Sequence, residues 1–198
     1  MVKAINSRSA IRAAVLAAAL ACASCTTASM VTPAMHDEGR FVGQTACLVR
    51  GLGGPLTSYV GAGRELLEGL GFQVTVHEMT VPPKDLEPCA VIVAHSAGAV
   101  PTLATTGHRQ IFIIDGFASL LQHCPAASIC TNFYNPGDVL SGTLDGAENI
   151  NCFTACGALD MIPLLAHETM PASREVWRLI SRRIEQRATV LAQAEAVR

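Results

Sequence analysis

An almost uninterrupted apolar segment near the middle of the chain constrains its fold more than any other feature. Residues 89–94 read CAVIVA, and an apolar run without polar alternation is typical of a parallel strand that is covered by protein on both faces. Short apolar runs recur at residues 45–50, 111–114 and 129–134, and residues 72–77 alternate between apolar and polar positions. The sequence therefore predicts several strands of one largely buried sheet.

Segments with the signals of helices separate these strands. We predict helices over residues 57–69, 97–106 and 173–194; a glycine stop follows the first, and the last has one apolar and one arginine-rich face. Strands that alternate with helices define a parallel sheet with right-handed crossovers. The predicted fold class is α/β, a three-layer sandwich with a mainly parallel sheet. Weaker strand candidates are residues 150–153 and 161–165.

Length, composition and charge exclude several classes of protein. The 198 residues suffice for one domain with a single core. Half of the residues are apolar and 15% are charged, which excludes a disordered chain. The formal net charge of -2 gives no electrostatic reason to bind nucleic acid.

The first 24 residues have the layout of a secretory signal peptide. Residues 1–12 contain three basic side chains and no acidic one, an Ala-rich apolar run follows, and small residues come next. The run is shorter than the roughly 20 apolar residues that cross a bilayer. We therefore expect residues 1–24 to be removed on export. Lipidation of Cys25 or Cys22, which would attach the mature protein to a membrane, is the alternative to a soluble exported protein. A flexible tether is predicted over residues 25–43 and the folded domain over residues 44–198.

Eight cysteines in an exported chain indicate disulfide bonds. Among the six cysteines beyond the leader, short sequence separations favour the pairs Cys124–Cys130 and Cys152–Cys156. The sequence does not select the complete connectivity. A zinc site that includes the adjacent His123 is the alternative, and it is weak because no CxxC pair occurs beyond the leader.

The residues around Ser96 carry the chemistry of this chain. The predicted central strand runs directly into Ala94-His95-Ser96-Ala97-Gly98, and a helix is expected to begin immediately afterwards. In so tight a turn the residues two before and two after the serine must be small. The serine hydroxyl should then stand exposed at the carboxyl end of the strand, beside a helix N-terminus and its partial positive charge. The structural alternative is a serine that caps a helix.

This strand–turn–helix around small-x-Ser-x-Gly resembles the nucleophile elbow of the α/β-hydrolase family. Residues 50–55 (RGLGGP) are similar to the family's glycine-bearing oxyanion loop, with Arg50 where the family often has histidine. The resemblance covers residues 44–190 and implies a minimal hydrolase core without a cap domain, similar to cutinases and small lidless lipases. Backbone N–H groups of such a loop and of the residue after the nucleophile would stabilise an oxyanion. The implied oxyanion-hole residues are Leu52, Gly53 and Ala97.

The resemblance also implies an acid and a base that follow the serine in that order along the chain. Asp138 lies in a Pro-Gly turn just past a predicted strand, where the family places its acid, although it could instead cap that turn. His167 precedes the closing helix, as the family's base does. Ser96, His167 and Asp138 are thus expected to form a catalytic triad that needs no metal or cofactor. The other aspartates in the correct chain order are Asp115, Asp145 and Asp160.

The resemblance implies an exported serine hydrolase that cleaves small-molecule or lipid esters or thioesters through an acyl-serine, in the periplasm, on a membrane or outside the cell. One departure from the family favours a different function. Residues 157–160 (GALD) are similar to the family's Gly-His-Leu-Asp loop, with Ala158 in place of the histidine. A non-catalytic envelope protein of the same fold is therefore the alternative, and a small-molecule binding module that uses the glycine loop is a third.

Overall fold

A computed structural model of the protein describes residues 40–52, 59–117, 120, 123–138, 140–156 and 166–196, without the side chains of residues 166, 168 and 191–196. The predicted leader, Cys25 just after it, and the strand candidate at residues 161–165 lie outside the described residues. Part of the predicted tether is described, and there Phe41 is buried and stacks on Phe72 with ring centroids 4.5 Å apart. The packed domain therefore begins no later than Phe41.

Six strands form one sheet in which every neighbouring pair is parallel. The order across the sheet is β2-β1-β3-β4-β5-β6. The strands are β1 (Thr45–Val49), β2 (Gln73–His77), β3 (Cys89–His95), β4 (Gln110–Ile114), β5 (Ile129–Tyr134) and β6 (Glu148–Asn151). The central strands have few or no exposed side chains, as an apolar run without alternation predicts.

Helices cover both faces of the sheet, which confirms the predicted α/β three-layer class. The α-helices are α1 (Tyr59–Gly69), α2 (Ala99–Leu103), α3 (Cys152–Ala155), α4 (Ala166–Thr169) and α5 (Arg174–Ala196). Short 3₁₀ turns occur at Pro83–Leu86, Ser96–Gly98 and Met170–Ala172. Among the described residues nothing forms a separate cap domain. None of the helices within the described ranges is both long enough and apolar enough to span a membrane.

Alternate side chains of each central strand enter two separate hydrophobic clusters. On one face, Leu48 and Val93 pack with residues of α1 and α5, including the fully buried Trp177. On the other face, Val49 and Ile92 pack beneath the Pro83–Leu86 turn and α2. This division follows from the strand geometry, in which successive side chains point to opposite faces.

Two predicted element boundaries were wrong for identifiable reasons. The helix after Ser96 ends at Leu103 rather than at residue 106, because the backbone N–H of Thr106 donates to a carboxylate oxygen of Glu87 at 2.9 Å. The strand predicted at residues 150–153 ends at Asn151, whose side chain accepts a hydrogen bond from the N–H of Phe153 and so begins α3.

The described part of the chain contains three disulfide bonds. Cys124–Cys130 and Cys152–Cys156 confirm the two pairs predicted from short separations. The third, Cys47–Cys89, joins the neighbouring strands β1 and β3, and the sequence did not single it out. Three disulfide bonds indicate an oxidising compartment, in keeping with an exported protein.

Candidate active site

The candidate site lies at the carboxyl edge of the sheet, where the direction of winding reverses. The chain runs outward from β1 to β2, then crosses to β3 on the other side of β1 and continues outward through β4, β5 and β6. In open parallel sheets, ligands bind in the crevice that such a reversal leaves at the carboxyl ends of the strands. Here the reversal lies between β1 and β3, so the residues that follow β1 and Ser96, which follows β3, meet at this position.

Ser96 occupies a tight turn whose geometry requires small neighbours. Its backbone φ is 54°, in the left-handed region that residues other than glycine rarely adopt. A Cβ atom on Gly98 would lie 2.6 Å from the carbonyl oxygen of Val49 and 2.7 Å from that of Arg50. These contacts are with backbone atoms, which cannot move aside. The turn therefore accepts only glycine at position 98, and the fully buried Ala94 fills the other small position.

The expectation that the Ser96 hydroxyl stands exposed was wrong, because the residue is only 1% exposed. Two neighbours cover it. A Cβ atom on Gly51 would lie 2.5 Å from the Cβ of Ser96, so the chain after β1 packs directly against the serine. On the other side, the imidazole of His167 lies within hydrogen-bonding distance of Oγ.

His167 links Ser96 to a buried carboxylate. Its Nε2 lies 2.9 Å from Ser96 Oγ, and its Nδ1 lies 2.8 Å from Oδ2 of Asp115. With the carboxylate ionised, Nδ1–H donates to Asp115 and leaves the Nε2 lone pair to accept the serine proton. This is the hydrogen-bond order in which a serine becomes a nucleophile and an imidazole its base.

The structure reverses the order of the two aspartates that the sequence favoured. Asp138, the first choice, has its Oδ2 3.7 Å from His167 Nδ1, beyond hydrogen-bonding distance, whereas Asp115 is bonded. Asp115 directly follows β4, the neighbour of β3, whereas Asp138 follows β5, one strand further away. Asp115 is fully buried and has a φ of 49°, so a second strained residue adjoins the same imidazole.

Asp138 caps its own turn, which is the structural alternative considered for it. Its Oδ1 accepts the backbone N–H of Leu140 at 2.9 Å. Burial raises the pKa of Asp138, and the charge of Asp115 raises it further, while the hydrogen bond from Leu140 and the nearby His167 act in the opposite direction. Its second oxygen remains directed toward His167.

His95, part of the predicted elbow, holds the backbone of His167. Its Nε2–H donates to the carbonyl oxygen of His167 at 2.9 Å, and the two rings lie 5.0 Å apart. Burial lowers the pKa of His95 to about 4, with the charge of His167 as a smaller contribution in the same direction. His95 is therefore neutral near pH 7, and its buried Nδ1 has no hydrogen-bond partner among the described residues.

Part of the implied oxyanion hole falls within the described residues. Ala97, the residue after the nucleophile, is buried in the 3₁₀ turn that begins with Ser96. Leu52 follows Gly51, whose backbone touches Ser96, and the Leu52 side chain is 58% exposed. Gly53 lies outside the described residues, as do Ala158 and Asp160. The chain after β1 therefore lies against Ser96. Of the three implied oxyanion-hole residues, Leu52 and Ala97 are described.

The cluster around His167 also has the composition of a metal site. Asp115, Asp138 and His167 each offer one ligand atom, and these atoms lie within 4.8 Å of one another. A metal would need a lone pair on the imidazole nitrogen that faces the carboxylates. In the arrangement described above, that nitrogen carries the proton donated to Asp115.

Two features of the site were not recognised from sequence. The contact of His95 with the carbonyl of His167 joins residues 72 positions apart, and no local pattern reveals it. The preference for Asp115 depends on which strands are neighbours, although the sequence does place Asp115 directly after a predicted strand.

Comparison of the chain with protein-family models, with curated proteins and with solved structures found no match.

Proposed function

We propose that this protein is a serine hydrolase that cleaves carboxylic esters or thioesters. The observation that carries the proposal is the chain of hydrogen bonds from Ser96 Oγ through His167 to Asp115, at the carboxyl end of β3. The order of these three residues along the chain, serine, acid, base, is that of the α/β-hydrolase family, and the strained turn at Ser96 supports the likeness.

In the proposed reaction, His167 Nε2 takes the proton from Ser96 Oγ as the oxygen bonds to the substrate carbonyl carbon. The bond to the leaving alcohol or thiol then breaks, and the leaving group receives that proton from His167. An acyl-serine results. Water attacks the acyl carbon while His167 accepts a proton from it, the bond to Ser96 Oγ breaks, and His167 returns that proton to Oγ as the carboxylic acid is released. Asp115 orients the imidazole and stabilises its charged form.

A non-catalytic protein of the same fold is the second candidate, favoured by the near-complete burial of Ser96. Hydrolysis of short p-nitrophenyl esters separates the two candidates. The proposal predicts turnover by the natural protein and loss of at least about 1000-fold in Ser96→Ala, since removal of a triad nucleophile leaves only the rate from binding and the oxyanion hole. Ser181→Ala, at a buried serine on α5, is the matched control and should keep its activity.

The protonated Nδ1 also gives a prediction for metal removal. Because the proposed reaction uses His167 as a base rather than as a ligand, ester hydrolysis should survive dialysis against EDTA. Loss of activity that added divalent metal restores would instead favour a metal centre formed by Asp115, Asp138 and His167.

We also propose where in an oxidising compartment the protein is located. The basic start, the apolar run and the small residues that follow support export of a chain cleaved near residues 21–24. The mature protein would be periplasmic, secreted, or attached to a membrane through a lipid on Cys22 or Cys25. Small-molecule or lipid esters would be its substrates.

A further inference from the structure

Two carboxyl groups face one imidazole nitrogen in the candidate site. The Nδ1 atom of His167 lies 2.8 Å from Asp115 Oδ2 and 3.7 Å from Asp138 Oδ2. The proposed reaction uses only Asp115. It therefore leaves unexplained why a second, nearly buried carboxyl group lies beside the first.

A carboxylate oxygen of Asp115 and one of Asp138 lie within 4.8 Å of each other. Two buried carboxylates at so short a separation are not both ionised at low energetic cost. Among the described residues, the charged or titratable groups that act on Asp138 are Asp115 and His167, with the neutral His95 behind the imidazole. One imidazolium balances one negative charge. While His167 is a neutral base, none of these groups carries a positive charge that could balance even one ionised carboxylate.

The hydrogen bonds of the two carboxyl groups indicate which one holds a proton. Asp115 accepts the N–H of His167 through Oδ2, and its buried Oδ1 has no donor among the described residues. Asp138 accepts a backbone N–H through Oδ1, which leaves Oδ2 as the atom for a proton. Burial and the charge of Asp115 both raise the pKa of Asp138. The carboxyl group without the imidazole bond is thus the one that is more easily protonated.

Resting on the proposed function, we propose that Asp138 is a positioning residue whose carboxyl proton is donated to Asp115, so that the pair carries a single negative charge while His167 acts as a base. The shared proton holds Asp115 beneath His167. It also keeps a second negative charge from the imidazole, since two carboxylates there would raise the pKa of His167 and retain it in the protonated, inactive form.

The protonation state can be measured directly, without any substrate. We would record the carboxyl carbon signals of ¹³C-aspartate-labelled protein against pH, assigned with Asp138→Asn and Asp115→Asn. Because the proposal requires Asp138 to be protonated while His167 is neutral, the Asp138 signal should titrate above the ordinary histidine value of about 6.5, well above the ordinary aspartate value of about 3.9. Its transition should move to lower pH in Asp115→Asn. Titration of Asp138 below about pH 6.5 would overturn the proposal, because Asp138 would then be ionised where His167 acts as a base.

Kinetics give a second test, in which the acid limb of the pH profile distinguishes a protonated Asp138 from an ionised one that only caps its turn. The amide that Asp138→Asn introduces can still donate a hydrogen bond to Asp115, whereas the methyl group left by Asp138→Ala cannot. Asp138→Asn should therefore retain at least about ten times the kcat/KM of Asp138→Ala, the difference expected for a hydrogen bond to a charged group. The acid limb of its pH profile should coincide with that of the natural protein.

If Asp138 were ionised in the working enzyme, Asp138→Asn would remove a charge and shift that limb to lower pH by about one unit or more. Asp145→Asn is the matched control, since Asp145 pairs with His123 at 2.9 Å on an exposed surface. A natural protein without hydrolytic activity would refute the proposed function, and the NMR titration would still decide the protonation of the pair.

Discussion

At the scale of single residues, the site depends on side chains whose environment determines their protonation. His167 lies between a hydroxyl and a buried carboxylate, so that each of its nitrogens has a defined partner. His95 is buried beside it and neutral, and it donates to the backbone of the base rather than to a substrate. The two histidines therefore have different roles although they share one environment.

Asp115 should be the carboxylate on which activity depends most. An asparagine at this position presents an amide N–H to Nδ1 and so favours the wrong imidazole tautomer, which in a comparable triad costs about 10⁴-fold in kcat. We expect Asp115→Asn to lower kcat/KM for ester hydrolysis by at least about 100-fold. Asp145→Asn, in the exposed pair with His123, should change it by less than about twofold. Equal activities of the two variants would show that Asp115 does not take part in the reaction.

His95 should make the folded state sensitive to acid. Its pKa is about 4 when folded, against an ordinary value of 6.5. Above pH 6.5 both states are neutral; below it the unfolded chain binds a proton that the folded chain refuses, so the free energy of unfolding decreases toward pH 4. The shift corresponds to about 3 kcal/mol.

His95→Gln keeps an N–H donor and removes this titration. Urea unfolding of both proteins at several pH values would give the difference in their free energies of unfolding. That difference should change between pH 6.5 and about 4 and become constant below. A difference independent of pH would show that His95 is not held neutral.

At the scale of elements, the strand–turn–helix at Ser96 depends on backbone contacts. Gly98 touches the carbonyl groups at the end of β1, and Gly51 touches Ser96 itself. These contacts couple β1 and β3, the two strands between which the direction of winding reverses. The small residue at position 98 could be predicted from the sequence, because the turn itself demands it. The burial of Ser96 could not, because it depends on residues that follow β1 and β6.

Gly98→Ala should disrupt this turn. Its Cβ would lie 2.6 and 2.7 Å from two backbone oxygens, and relief of such overlap typically costs about 1–3 kcal/mol. Gly61→Ala is the matched control, since a Cβ there has nothing within 4 Å and the position lies inside α1. That change should stabilise the protein by about 0.5–1 kcal/mol. Urea unfolding checks both, and a neutral effect of Gly98→Ala would contradict the contact.

At the scale of the whole molecule, the fold was predictable where patterns are local. Apolar runs identified the strands, because a strand that is buried on both faces accepts few polar side chains. The alternation of these strands with helices identified the parallel sheet. The neighbour of each strand is not a local property. For that reason the sequence favours Asp138 over Asp115 and does not select the Cys47–Cys89 bond between the neighbouring strands β1 and β3.

Export of the chain predicts the mature N-terminus. Protein purified from its native compartment should lack residues 1 to 21–24, because a basic start, an apolar run and small residues are typical of a cleavable leader. Intact-mass analysis reads the cleavage point and shows any lipid on Cys22 or Cys25. Recovery of folded protein that retains residues 1–12 would contradict the prediction.

The most direct test of a nucleophilic Ser96 is covalent capture by a serine-directed fluorophosphonate, followed by intact-mass measurement and peptide mapping. The natural protein should gain one phosphonyl group on Ser96. His167→Ala should react far more slowly, and Ser96→Ala should not react, whereas His123→Ala, which removes an exposed histidine paired with Asp145, should react as the natural protein does. Failure of the folded natural protein to react, or modification of a different serine, would contradict a nucleophilic role for Ser96.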